Sequence, residues 1–470
     1  MIHMYNLVID IGSSRVKVLV FKVGSVEPLY IVNKGYRFIK ADLVFNNLLD
    51  ALKALPRAYL NEVERIVITG LRSGFLAVDK EGRPLLDVIP WYDNRAQGEA
   101  KVLADKIPDV FFRTGLQALP YYSAPKILWI KGRRKDLFEN IRKFLLLLDY
   151  IIYRLTDNER FLTDPTIANR TLLYNIRRRK WDGEILSALD IDEDKLPEVV
   201  PTGAIIGELN QKVRRLLRIN KKRIEVMIGG GDQQLALYAL NNGRGLICNL
   251  GSGGFLLKSV NDLKMMDKSF IYGVHTDNNI YIMEGVIINF GLALDKFLKL
   301  LNRGYDVLKD APRTKTEVLV LPFFSGRGSP TWNPACKSLV KGITLWSSKL
   351  ELMKALLEGL SFELKQIIES FEKLGYKVEE LKVTGGLAAN DYILKIISDV
   401  TERRILKMKY LNSTALGAYL LSLGSEATKF RNVVNEVEKV FEPGDDKDMR
   451  NYYGEKYYEY LRVIKEGDLA

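Results

Sequence analysis

Two short glycine-serine turns, each set between a pair of strand-like runs, constrain this chain more than any other feature. The first is Asp10-Ile11-Gly12-Ser13-Ser14, between Leu7-Val8-Ile9 and Val16-Lys17-Val18-Leu19-Val20. The second is Asn249-Leu250-Gly251-Ser252-Gly253, between Leu246-Ile247-Cys248 and Phe255-Leu256-Leu257. Glycine admits close approach of backbone to a ligand, and turn N–H groups with serine hydroxyls form a cradle for phosphate oxygens. Either turn alone is also an ordinary hairpin. Two of them, in opposite halves of one chain, predict two lobes that grip one nucleotide.

A chain of 470 residues exceeds one hydrophobic core, so two large domains are expected. Strand patterns fall near 5–10, 16–23, 28–33 and 65–70, with a helical stretch near 43–60. Helical patterns dominate from Asp93 to Leu189, interrupted at Pro120 and Pro125. A strand, Ile224 to Ile228, runs into Gly229-Gly230-Gly231-Asp232, and a helical run follows over 233–240. Strand patterns return around 244–258, 270–274 and 280–285. Ser348-x-x-Glu351 reads as a capping box that opens a long amphipathic helix ending before Gly375. The strand Glu380-Leu381-Lys382-Val383 then leads through Thr384-Gly385-Gly386 into a helix through Ser398. This strand-first, helix-later order in both halves predicts an internal duplication, with the lobe boundary near 235–245. The tail bearing Tyr452, Tyr453, Tyr457, Tyr458 and Tyr460 is expected to be a packed terminal helix.

The net charge of +12 raises nucleic-acid binding as a rival function. Basic clusters such as Arg177-Arg178-Arg179-Lys180 are scattered, however, and lack the aromatic interleaving of a single-strand binder. The two histidines, His3 and His275, are too few for a multi-His metal centre, which makes a carboxylate the expected general base. Cys248 and Cys336 form no CxxC and suit a reducing cytoplasm. No leader or membrane span is expected, since the most apolar run, Phe144 to Tyr153, is short and broken by Asp149.

A Rossmann site needs a helix after its glycine loop, whereas the residues after Gly12-Ser13-Ser14 alternate like a strand; no GxxxxGK[ST] occurs either. What remains is a strand-turn-strand cradle with Asp10 at its entrance. That carboxylate suits a hydrated Mg²⁺ against phosphate oxygens, and Lys17 offers its charge to the γ-phosphate. A plain hairpin, with Asp10 bonded to its own turn, accounts for the same residues. Asp232, at a helix start after three glycines, is the candidate base for a hydroxyl proton during phosphoryl transfer; a helix N-cap is its other reading. Gly385-Gly386-Leu387-Ala388-Ala389-Asn390 lets a flat base lie against backbone with Asn390 beside it, although tight strand-helix packing asks for the same small residues.

Together these elements resemble the FGGY carbohydrate kinases over nearly the whole chain. Further matches lie at Trp91-Tyr92-Asp93-Asn94-Arg95, Thr163 to Thr171, Pro322-Phe323-Phe324-Ser325-Gly326 and Thr414-Ala415-Leu416-Gly417-Ala418. The resemblance implies an α/β, two-lobed actin-like ATPase (ribonuclease H-like) fold, with duplicated domains 1–240 and 241–470 and an active-site cleft between them. It implies ATP with Mg²⁺, Asp232 as catalytic base, and Arg72, Ser73, Trp91, Tyr121, Gln233 and Phe255 with Asp232 around the substrate. With the readings above, the expected ATP contacts are Asp10, Gly12, Ser13, Ser14, Lys17, Gly251, Ser252, Gly385, Gly386 and Asn390, with Asp10 reaching Mg²⁺ through water.

Pro120-Tyr121-Tyr122-Ser123 and Gly231-Asp232-Gln233-Gln234 are similar to segments of the glycerol kinase branch. Asp93-x-Arg95 and Gly229-Gly230-Gly231-Asp232 resemble the xylulokinase branch. Arg72-Ser73 departs from the Arg-Glu of the former, so a carboxylate for substrate hydroxyls is missing, a change that bears on the substrate. The expected activity is transfer of the γ-phosphate to a hydroxyl of a small polyol or ketose in the cytoplasm. No nucleic-acid or membrane partner is expected, and a homodimer is left open. A non-catalytic sugar-sensing regulator on the same fold and a nucleic-acid-binding protein are the alternatives.

Overall fold

The computed structural model describes residues 4–36, 39–156, 160–241, 245–277, 279–309 and 315–467. His3, the first residue of the 244–258 strand region and part of the 235–245 boundary lie outside them. One sheet is built from β1 (Tyr5–Ile11), β2 (Arg15–Lys22), β3 (Pro28–Gly35), β4 (Val63–Gly70), β5 (Ile205–Glu208) and β6 (Glu225–Gly231), in the order β5-β6-β4-β1-β2-β3. A second holds β7 (Leu246–Leu250), β8 (Gly254–Val260), β9 (Ile271–Val274), β10 (Tyr281–Ile287), β11 (Glu380–Thr384), β12 (Arg404–Met408) and β13 (Val437–Phe441). Its order is β9-β10-β8-β7-β11-β12-β13.

The two sheets repeat one pattern. β1 pairs antiparallel with β2 and parallel with β4, and β4 pairs parallel with β6. β7 does the same with β8 and β11, and β11 with β12. Each sheet ends on an antiparallel strand, β5 or β13, and β9 is the one addition. The expected duplication is therefore present in strand order, without sequence repetition to announce it.

Six helices build the layers around these sheets: α1 (Ala41–Lys53), α2 (Asp232–Leu240), α3 (Lys349–Lys373), α4 (Asp391–Thr401), α5 (Ser413–Ser422) and α6 (Lys447–Glu466). α1 covers one face of the first sheet, with Val44 and Leu48 in a core shared with Leu7, Ile9 and Val18. The opposite faces of both sheets share a second core. It joins Val8, Leu19 and Val67 of the first to Ile247, Leu257 and Met408 of the second, through Leu235 and Ala236 of α2 and Ala415 and Tyr419 of α5. A helix body buried on every side must be apolar on every side, and beyond their polar first turns the bodies of α2 and α5 largely are: Leu235-Ala236-Leu237 and Ala415-Leu416-Gly417-Ala418 leave no polar stripe. The layers run helix, sheet, helix pair, sheet, helix.

The Ser348 capping box forms, Ser348 Oγ accepting from Glu351 N at 3.2 Å and Ser348 N donating to Glu351 Oε2 at 2.7 Å. The tyrosine tail is the packed helix expected: Tyr457 donates to Glu369 of α3 at 2.8 Å, and Tyr460 to Glu363. Two local expectations need correction. The helix expected over 43–60 is two, α1 and a short turn at Arg57–Asn61, because Pro56 disfavours helical backbone at the residue before it. Pro125 does not interrupt a helix. It lies in the first turn of the helix Ser123–Arg133, where its missing N–H has no intrahelical acceptor to lose.

α5 crosses α2 closely enough that a Cβ on Gly417 would stand 2.1 Å from the Leu235 carbonyl oxygen. Gly417→Ala should therefore destabilise the protein by roughly 1–3 kcal/mol. Gly454→Ala, in α6 with nothing within 4 Å of the new methyl, should stabilise it by about 0.5–1 kcal/mol. Denaturant melts of both variants check this; equal shifts would show that the interlayer contact is not tight.

Candidate active site

The site is assembled where β4, β6 and β10 end near the first residue of α2. β6 finishes in Gly229-Gly230-Gly231, and the corner is pinned from three sides. Thr69 Oγ1 donates to Gly230 O at 2.7 Å, Thr166 Oγ1 accepts from Gly231 N at 2.8 Å, and Thr414 Oγ1 donates to Asp232 O at 3.1 Å. Gly231 is required there: a Cβ would meet Arg72 Cδ at 2.5 Å. The cap position belongs to Gly231, so Asp232 is the first helical residue and not the N-cap. Its Oδ1 accepts from Gln233 N at 2.8 Å and stands 3.1 Å from Arg72 Nε. Burial in the cleft raises the Asp232 pKa, and Arg72 opposes that rise.

Arg72 is saturated by acids from two directions. Its other edge forms a bidentate pair with Glu284, Nη1–Oε1 at 2.6 Å and Nη2–Oε2 at 2.8 Å, and Arg170 Nη2 adds a contact to the same Oε1 at 2.7 Å. Glu284 is fully buried in β10, between apolar neighbours. Against the cost of burial, Arg170 and Arg72 hold its carboxyl below the ordinary range.

A cavity of about 80 Å³ opens beside Asp232. Of the expected substrate residues it takes its walls from Arg72, Ser73, Trp91, Tyr121, Asp232 and Phe255, and it adds Tyr122, Arg170 and Trp332. The Trp91 and Phe255 rings lie 6.5 Å apart as apolar walls, with the Arg72 guanidinium 5.8 Å from the Phe255 centroid. Tyr121 donates its hydroxyl to Ser325 O at 3.2 Å, which leaves the phenolic oxygen as an acceptor toward the cavity. Gln233 is the exception. It is buried outside the cavity wall, and its Oε1 accepts from Asn249 Nδ2 at 2.9 Å. One step along a helix turns a side chain by about 100°, so Gln233 faces the second turn when Asp232 faces the cavity.

The two turns meet across the cleft: Ser13 Oγ lies 2.7 Å from Ser252 Oγ. The first turn is closed by backbone, Gly12 N donating to Arg15 O at 2.9 Å, and Tyr36 holds it at both ends through Gly12 O and Ser14 O. Asp10 is opposite Lys17 in the β1–β2 register, and Lys17 Nζ donates to Asn412 Oδ1 at 3.1 Å. Burial pushes Asp10 up to about 6, with Lys17 lowering it and the neighbouring Asp232 charge raising it. The second turn is closed by Gly251 N to Gly253 O at 2.9 Å, and its carbonyls accept from Gly291 N and Leu292 N at 3.1 Å each. Gly385 and Gly386 follow β11, and Gly386 faces open space. Asn390 caps α4, its Oδ1 accepting from Tyr392 N at 3.0 Å and Ile393 N at 3.2 Å, so only its amide nitrogen is left for a ligand.

Arg170 lies inside the Thr163–Thr171 segment, and neither it nor Trp332 is among the site residues that the sequence singles out. Lys126 was missed entirely. It is fully buried and donates to Pro90 O and Tyr121 O, both at 3.0 Å, tying together the segments that carry Trp91 and Tyr121. His275 is buried and held neutral, at about 4, by that burial, and it takes no part in the cavity wall. Among the described residues no group of three or more His, Cys, Asp or Glu is disposed to hold a metal ion.

Two sheets of one repeated strand order, with paired turns facing across a cleft, define an actin-like ATPase architecture. A ligand-bound xylulose kinase from Lactobacillus acidophilus superposes with a TM-score of 0.84 at 21% identity, covering 98% of each chain. Plasmodium falciparum glycerol kinase with ADP does so at 0.79 and 22% identity, again covering 98% of each. Residues 5–239 match the N-terminal domain, and 246–424 the C-terminal domain, of the FGGY family of carbohydrate kinases, and the chain belongs to that family. It is an ATP-dependent phosphotransferase acting on a hydroxyl. A glycerol kinase of Saccharolobus islandicus (strain M.14.25 / Kamchatka #1) is 28% identical over 484 residues, covering 96% of this chain and 94% of the relative.

Burial holds Lys126 at about 7, below its ordinary 10.5. Its contribution to stability is therefore fully present above the unfolded value and is lost as pH falls through the folded one. Lys126→Met should raise the acceptor KM and leave the ATP KM unchanged. Its melting deficit against the wild type should widen from about pH 6 to about pH 9. A deficit that does not change with pH would contradict the assigned protonation.

Proposed function

We propose that the chain phosphorylates a small polyol or ketose in the manner of a glycerol kinase or a xylulokinase, with Asp232 as the general base. The observation that carries this reading is that Asp232 belongs to two environments at once. It lines the acceptor cavity, and its neighbour Gln233 is hydrogen-bonded at 2.9 Å to Asn249 of the second turn. A hydroxyl in the cavity and a phosphate on the turns thus meet at one carboxylate.

In this reading the acceptor lies against Trp91 and Phe255, with its hydroxyls toward Arg72, Ser73 and Tyr121. Asp232 takes the hydroxyl proton as the oxygen attacks the γ-phosphorus, and the bond to the β-phosphate oxygen breaks to release ADP. The turns at Gly12-Ser13-Ser14 and Gly251-Ser252 hold the phosphates, Lys17 supplies positive charge, and Gly385, Gly386 and the Asn390 amide receive the adenine. Closure of the cleft, marked by the Ser13–Ser252 contact, keeps water from competing as nucleophile. Gln233 acts as a strut between the base and the second turn instead of a substrate contact.

Mg²⁺ fits the Asp10 end of the cleft: a half-buried carboxylate within electrostatic reach of Asp232 gains from a hard cation. With no protein cage among the described residues, most of the ion's ligands would be phosphate oxygens and water. Bound there it would neutralise phosphate charge. The lobes proposed are 1–240 and 241–470, supported by family matches that end at 239 and resume at 246. The cytoplasm is the proposed compartment, in keeping with two buried cysteines that form no disulfide. Among the described residues no helix is long and apolar enough to cross a membrane.

Asp232→Asn should keep nucleotide affinity and lose turnover by about 10²–10⁴-fold. The wild-type rate should fall on the acid side with an apparent pKa above the ordinary carboxylate value of 3.8, because the base must be ionised and burial raises it. Titration calorimetry with nucleotide and a pH–rate series check both; near wild-type turnover in the variant would sink the assignment.

A further inference from the structure

Glu284 touches neither the acceptor cavity nor the turns, yet it has the most exacting set of ion pairs in the site. It is the single charged residue in the β10 run Tyr281-Ile282-Met283-Glu284-Gly285-Val286-Ile287. It is 0% exposed, and its partners Arg72 and Arg170 are 7% and 3% exposed. Three parts of the chain meet there: the end of β4 supplies Arg72, the turn Asn169–Thr171 supplies Arg170, and the second sheet supplies Glu284. A buried ion pair is poor evidence for stability, since desolvation offsets most of its attraction, but a bidentate one fixes geometry.

We propose that Glu284 is a positioning residue for the transfer, holding the Arg72 guanidinium so that its Nε faces Asp232 and coupling the base to the second sheet. The inference rests on the reading of Asp232 as base. The geometry leaves the guanidinium little freedom. Its Nη1 and Nη2 are held by Glu284 at 2.6 and 2.8 Å, Nη1 also donates to Gln234 Oε1 at 3.2 Å, and Nε lies 3.1 Å from Asp232 Oδ1. A planar fork clamped along one edge aims its remaining N–H as a rigid body. Arg170 supplies the second cation, which keeps Glu284 ionised in a dry setting. Because Glu284 belongs to the second sheet and both Arg72 and Asp232 to ends of the first, the base is correctly braced only when the sheets hold this relation.

A double-mutant cycle on the full-length enzyme tests this. Glu284→Gln, which keeps shape and removes charge, should lower kcat by about 10²-fold, the scale of a misplaced reacting group, with the ATP KM within about twofold of wild type. Added to an Arg72→Gln background, the same change should lower residual turnover by less than about threefold, because its effect runs through Arg72. Equal losses in the two backgrounds, or wild-type kcat in the single variant, would overturn the proposal. If Glu284→Gln does not fold, Glu284→Asp takes its place. It keeps the charge but is one methylene too short to grip both nitrogens, and it should show a smaller loss that also vanishes in the Arg72→Gln background. Wild-type kcat in Glu284→Asp, or an undiminished loss in that background, would overturn the proposal equally. A wild type that forms no ADP with any acceptor sinks the kinase-site reading, whereas an active wild type with an additive cycle sinks only this inference.

Discussion

Arg72 is the side chain on which the geometry of the cleft depends. Its guanidinium is paired along one edge with Glu284 of the second sheet and at its Nε with Asp232 at the end of the first. Burying such a network yields little net stability, yet removing one partner strands the others at a cost of roughly 3–5 kcal/mol. What the network provides is position. It sets the distance between a carboxylate and a cavity, and it does so from both sides of the cleft.

That position is rigid because α2 serves two purposes. Its body, apolar on all sides, is the layer between the sheets, packed on α5 and on both sheet faces. Its first residue is Asp232. A group at the start of a helix whose body is core inherits the precision of the core, which a surface loop would not give it. Gln233, one residue on, carries the same rigidity to Asn249 and so to the second turn. Asp232 and the second turn are thereby parts of one packed unit, and the Ser13–Ser252 contact joins the first turn to it.

Much of this was legible in the sequence, for a physical reason. The glycine-serine turns, the Gly-Gly-Gly-Asp corner and the Ser348 capping box are local: residues within a few positions of one another make the structure that their pattern implies. The groups that were missed act over long range. Glu284 meets Arg72 across 212 positions, and nothing near either residue announces the other. A carboxylate inside an apolar strand run was the available signal, since a charge buried there requires a partner. Lys126, on a helix face otherwise turned inward, carried the same signal. Gln233 adjoins Asp232 in sequence, yet one helical step turns its side chain toward Asn249, a direction that the local pattern does not carry.

The central claim is that the cavity and the paired turns form one phosphoryl-transfer site. The most direct measurement is the rate of ADP formation from ATP and Mg²⁺ by the wild-type protein, with and without glycerol, D-xylulose, L-ribulose or erythritol. The account predicts negligible ADP without an acceptor and rapid formation with one of these small polyols or ketoses. ADP released at the same rate whether or not an acceptor is present would contradict it.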